Sequence, residues 1–157
     1  MLGGRLSLGQ VIAAVGAIIV LVASFLDWVG SGGVSGGTVT GPGGASVTVP
    51  GVSGPSFNVW EIPGSVLDVF IVVAGVVALL PALLAFADAA EEFSFVSAAT
   101  FVLGVVGILL VVAFLTVDFP GEGAERELGA YIGLAGFLVM AFGGFRAMQE
   151  EVVAGEI

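Results

Sequence analysis

VLDVFIVVAGVVALLPALLAFA, residues 66–87, reads as a membrane-spanning helix. It carries no charge beyond Asp68 near its start. At about 1.5 Å per residue such a run is long enough for the roughly 30 Å of hydrocarbon in a bilayer. Pro63 and Gly64 precede it, and Ser65 with Asp68 three residues on fits a capping box at its start. Pro81 removes an amide donor from the interior, which predicts a bend or a local loosening. Ala74, Ala78 and Ala82 recur at four-residue steps and line one face.

Working outward, three further apolar runs of comparable length occupy residues 8–29, 96–117 and 128–145. The first follows Arg5, and Val22-Ala23-Ser24 faintly resembles a signal-peptide cleavage site. The length of its apolar stretch favours a retained span. Residues 1–157 therefore form a single membrane domain, an all-α bundle of four transmembrane helices. Helices in lipid associate by close packing, because no water-driven effect holds them together. Gly129 and Gly133 form a GxxxG step in the fourth run, and Gly9, Ala13 and Ala17 form a similar line in the first. These stripes suit either sealing of the bundle or contact with another membrane helix. Four spans put both termini on one side. With that side cytoplasmic, Arg5 and Arg146 lie inside and Arg126 outside, in the sense of the positive-inside rule.

Between the first two runs, residues 30–64 form a glycine-rich loop, expected outside the membrane. Its composition alone would suit a flexible linker. Thr38-Val39-Thr40 and Ser46-Val47-Thr48-Val49, however, are β-prone and flank the turn signal Gly41-Pro42-Gly43-Gly44. A third strand is expected over residues 57–62, giving a small extracellular antiparallel sheet within this first loop. Trp28 and Trp60 bracket the loop and suit anchoring at the membrane–water boundary. Trp28, Phe57 and Trp60, with Gly129 and Gly133, are the candidate interaction residues. Two tryptophans flanking a β-prone loop on a four-span chain resemble the claudin-like tetraspan layout in topology. The paired loop cysteines of that family are absent here, so the resemblance carries over no residue role and no function.

Composition narrows the chemistry. Only 10% of residues are charged against 58% hydrophobic, with a mean hydropathy of +1.19, whereas a soluble domain carries about a quarter charged residues. Cys and His are both absent, which excludes disulfides, thiol redox chemistry, imidazole bases and the usual zinc sites. A net charge of -10 with three Arg and no Lys argues against nucleic acid and against docking on anionic headgroups. The spans hold no central ionisable residue of the kind that proton relays and ion-coupled transporters use. No phosphate-cradling motif occurs, and the charged run 121–127 reads as an exposed helix start. The tail 149–157 reads as polar and frayed. Asp27, Glu61, Asp68, Asp118 and Glu122 collect where the outer surface is expected and form a possible cation-binding rim. Asp88, Glu91 and Glu92 fall in the short inner turn.

The expected function is that of a non-catalytic component of the cell membrane, with no cofactor, metal or nucleic acid. It would contact lipid and assemble with itself or with another integral membrane protein through its helix faces and outer β-loop. The alternative is an oligomeric cation-selective pore or small transporter with an acidic mouth. An enzyme that binds a quinone, carotenoid or lipid by apolar shape ranks third, since catalytic groups are missing.

Overall fold

The computed structural model describes residues 6–33, 35–62, 65–86, 94–116 and 124–155, side chains excepted at the ragged ends. Among these lie four α-helices: α1 (Leu8–Ala23), α2 (Leu67–Phe86), α3 (Ser94–Thr116) and α4 (Leu128–Gly155). There are also five short strands: β1 (Asp27–Ser31), β2 (Gly37–Thr40), β3 (Ser46–Val49), β4 (Ser56–Asn58) and β5 (Ala124–Arg126). The stretches 67–85, 95–116 and 128–153 are long and apolar enough to cross a membrane, while α1, at 16 residues, is shorter.

The helices close into a ring in which α4 packs on α1 and α3, and α2 packs on the other sides of those two. Small residues set the spacing between α1 and α4. Gly9 meets Ala147, Gly143 meets Ala13, Gly16 meets Met140, and Gly136 meets Val20. Each pair advances along α1 as it retreats along α4, so the helices are antiparallel and the start of α1 lies beside the end of α4. A Cβ added at Gly16 would sit 2.8 Å from the Gly136 carbonyl oxygen, which places backbone against backbone. Close approach of this kind gives helices in lipid their dispersion contacts. Gly104 and Gly144 serve the α3–α4 contact in the same way, against Ala141 and Phe101. Phe137, Met140, Ile71 and Val111 fill the centre and are fully buried. The outward faces remain apolar: Val11, Val15, Ile18 and Val22 on α1 and Val102, Val106, Leu109 and Val112 on α3 are all exposed. Apolar area of that extent is rare on a soluble monomer and suits a lipid environment.

Several expected boundaries shift. The first helix does not run to residue 29 but ends at Ala23, and the chain then turns into β1. Apolarity continues through this turn, but the backbone does not stay helical. Phe25 and Leu26 instead donate to the Val22 and Ala23 carbonyls, a tight i→i+3 closure. The second helix covers Leu67–Phe86 and passes through Pro81 without interruption. Its expected capping box does not form: Ser65 Oγ accepts from the Leu67 amide, Asp68 accepts from Val69, and the Ser65 amide donates to the Ile62 carbonyl. The expected helix start at 121–127 is, over residues 124–126, the strand β5. The tail expected to fray continues α4 to Gly155.

The sheet is likewise not confined to the first loop. Its three-stranded part has the order β4-β1-β5, so the segment before α4 supplies one edge. Val29 of β1 pairs with Phe57 on one side and Arg126 on the other, with an irregularity between Asp27 and Val29. The third loop strand, expected over 57–62, is shorter, Ser56–Asn58, and yields to a 3-10 turn at Val59–Glu61 closed by an Asn58–Glu61 capping box. The hairpin of β2 and β3 forms as expected and is a separate two-stranded ribbon. Its turn has Pro42 at the second position and Gly43 at the third with φ +119°, followed by Gly44 at +82°. A side chain is poorly tolerated at such angles.

Candidate functional site

The sheet end of the bundle gathers most of the candidate residues. Trp28 is the first residue after Asp27 in β1 and is fully buried. The reason lies in the GxxxG step of α4. A Cβ at Gly129 would meet Cδ1 of Trp28 at 2.6 Å, and one at Gly133 would meet Cζ2 at 2.7 Å. The two glycines thus form the floor on which the indole lies. Phe114 of α3 closes the other side, edge-on at 5.9 Å, and the Arg126 guanidinium stands 5.0 Å from the Phe114 ring centre. The indole N–H donates to the Ala23 carbonyl at 2.7 Å, so this side chain also satisfies an end group of α1. Trp28 therefore joins α1, the sheet and α4 at one point.

Trp60 behaves differently. It is 40% exposed, lies 5.8 Å from the ring of Phe25, and donates its N–H to Ser24 Oγ at 3.2 Å. Ser24 is itself buried and donates to the Leu21 carbonyl at 2.7 Å. The sequence marks Ser24 only as part of a faint cleavage-site resemblance and does not single out Phe25; their contact with Trp60 spans more than thirty residues and leaves no local signal. Phe57 is partly exposed on β4.

The acidic candidates among the described residues make local hydrogen bonds. Asp27 Oδ2 accepts from Ser56 Oγ at 2.8 Å, and Glu61 Oε2 accepts from the Asn58 amide at 3.1 Å. Asp68 sits at the start of α2. Asp118 and Glu122, like Asp88, Glu91 and Glu92, lie outside the described residues. Among the described residues no group of three or more acidic side chains converges as a metal would require.

The opposite end holds a polar arrangement that the sequence did not advertise. Ser7 caps α1 with Gln10 in a reciprocal capping box, and Glu150 Oε2 accepts from the Gly9 amide at 3.2 Å. Arg146 Nε contacts the other oxygen of Glu150 at 3.1 Å, and the neighbouring Glu151 accepts from buried Ser97 of α3. Two successive carboxylates of α4 thus tie it to α1 and to α3. A carboxylate at a helix N-terminus is also favoured by the helix dipole.

Beyond the helices, the β2–β3 ribbon is also left without a cover among the described residues. The register pairs Val39 with Val47 and Gly37 with Val49, so these share one face, while Thr38, Thr40, Ser46 and Thr48 share the other. Val39, Val47 and Val49 are 65%, 64% and 51% exposed. The ribbon carries no charge. Comparison with models of known protein families and with curated proteins finds no match to this chain.

Proposed function

We propose that this chain is a non-catalytic integral membrane component that crosses the bilayer four times and assembles, with itself or within a larger membrane complex, through its β2–β3 ribbon. The carrying observation is the uncovered face of Val39, Val47 and Val49. A lone two-stranded ribbon is marginal in water, and its uncharged outer edges invite a further strand. The small-residue stripes named from the sequence are occupied inside the bundle, so assembly falls to the ribbon and the lipid-facing helix surfaces. The described interior is mostly apolar, with Ser24, Ser97 and Thr100 the buried polar side chains, which favours assembly over ion passage through a single bundle. The favoured orientation keeps both termini cytoplasmic and exports the sheet end, since Arg126 ends the strand before α4 and Arg146 lies in the second half of that helix.

Native mass measurement after gentle extraction tests this reading. A multimer, or a stoichiometric second membrane protein, is expected for the wild type. Val47→Lys puts an ammonium on the uncovered face without entering the core, so it should release the partner and leave the thermal transition in place. A wild-type chain that runs alone overturns the proposal, and so does undiminished assembly of Val47→Lys.

A further inference from the structure

We infer that Phe25 and Trp60 form a lipid-facing collar that completes the crossing of α1 and sets the acyl-chain boundary of the bilayer at the sheet end. The inference rests on the four-span reading and supplies what that reading lacks, since the 16 residues of α1 cover only about 24 Å at 1.5 Å each. The three residues 24–26 continue in a tight turn, with Phe25 and Leu26 donating to Val22 and Ala23. At about 2 Å each they bring the apolar length to about 30 Å, the thickness of the hydrocarbon.

The exposed face of the helix runs into this turn without a break. Val11, Val15, Ile18, Val22 and Phe25 follow one another at alternating steps of four and three residues, and all are exposed, Phe25 at 70%. Trp60 arrives from the 3-10 turn and extends the same surface, with its ring 5.8 Å from that of Phe25. A tryptophan at a membrane boundary usually turns its N–H toward headgroups and water. Here the N–H is given to buried Ser24, so the exposed part of the indole offers carbon. The polar boundary follows at once on both segments: Leu26 is succeeded by Asp27 and Trp60 by Glu61, each exposed. Acyl chains up to Phe25 and Trp60, with headgroups beyond, fit this sequence of surfaces. A protein partner on the collar is the competing occupant.

The test uses the full chain in phosphatidylcholine vesicles whose acyl chains carry bromine at shallow, middle or deep positions. Subtracting the emission of Trp60→Phe from that of the wild type isolates Trp60, because the other tryptophan, Trp28, is retained in its buried seat. Shallow bromine should quench the difference signal most, deep bromine less, and aqueous iodide little. Strong iodide quenching with no response to bromine overturns the collar. Ser24→Ala frees the indole N–H, and the signal should then move toward the headgroups, with a red shift and weaker bromine quenching. An unchanged depth profile in that variant overturns the role of the Ser24 bond. The chain lacks cysteine, so Leu6→Cys and Thr48→Cys, which bracket α1, can each be labelled with an impermeant maleimide. Labelling of the two from opposite sides of the vesicle establishes the crossing, and iodide-accessible Trp60 then removes the collar alone. Labelling from the same side removes the four-span reading and the collar with it.

Discussion

At the scale of single residues, Trp28 decides how the sheet joins the bundle. Its indole is buried between Gly129, Gly133 and Phe114, and its N–H binds the Ala23 carbonyl. A side chain of that size contributes more than its neighbours to a packed centre, and truncating such a residue costs about 3–5 kcal/mol. The seat exists only because α4 offers no Cβ at two positions one turn apart. Gly133→Leu should therefore expel the ring and destabilise the chain by about 1–3 kcal/mol, the usual range for overpacking. Two readouts check this: the thermal midpoint in detergent should fall, and tryptophan emission should shift to the red as Trp28 meets a more polar setting. Unaltered emission and an unaltered midpoint would show that Trp28 does not occupy this floor. The GxxxG step was visible in the sequence, but its occupant was not, because a glycine pair specifies close approach without naming what approaches.

At the scale of elements, α1 and α4 form the tightest pair, and their contact follows from spacing. Gly9, Ala13, Gly16 and Ala17 are all buried on α1, and residues at three- and four-residue steps share a helix face. The expected line of small residues was thus legible, as were the hairpin strands and their turn. The end of α1 was not, because Phe25, Leu26, Trp28 and Val29 keep the stretch largely apolar beyond Ala23, and apolarity alone does not separate a helix from a buried strand. Strand β5 was hidden for another reason: Ala124-Glu125-Arg126 lacks β-branched residues, and its partner β1 lies almost a hundred residues away. The clamp of Glu150 on α1 spans a still longer separation. Neither pairing leaves a local signal. A matched pair of variants tests the helix contact. Gly16→Leu drives a side chain into the Gly136 carbonyl and the Met140 backbone, which cannot give way as a side-chain tip would. It should cost about 1–3 kcal/mol or prevent folding. Gly37→Ala, whose new Cβ meets nothing within 4 Å, should change the midpoint little. Equal midpoints for the two would count against the packing of α1 on α4.

At the scale of the whole molecule, stability and exposure are distributed unevenly, and the contrast bears on function. The bundle is locked at its sheet end by Trp28 and at the other by Ser7, Glu150 and Glu151. Among the described residues every buried side-chain nitrogen or oxygen has a partner. The β2–β3 ribbon has its own ladder and its turn, but its valine face is uncovered. Amide hydrogen exchange reports such differences, since local opening ranges from nearly free to the cost of global unfolding. In a preparation stripped to single chains, the amides of α1 and α4 should exchange slowest. Those of β2 and β3 should exchange within the fastest class, because an isolated two-stranded ribbon opens readily. In native membranes, where partners are retained, the ribbon should become protected while the helices change little. A neighbour that covered the valines or added a strand would remove water from the ribbon and stabilise its closed form. Equal exchange of the ribbon in both settings would mean that it meets no partner there. Protection gained by the helices instead would transfer assembly to their lipid-facing surfaces. The experiment thus decides which of the two unoccupied apolar surfaces, the ribbon or the outer helix faces, carries the association.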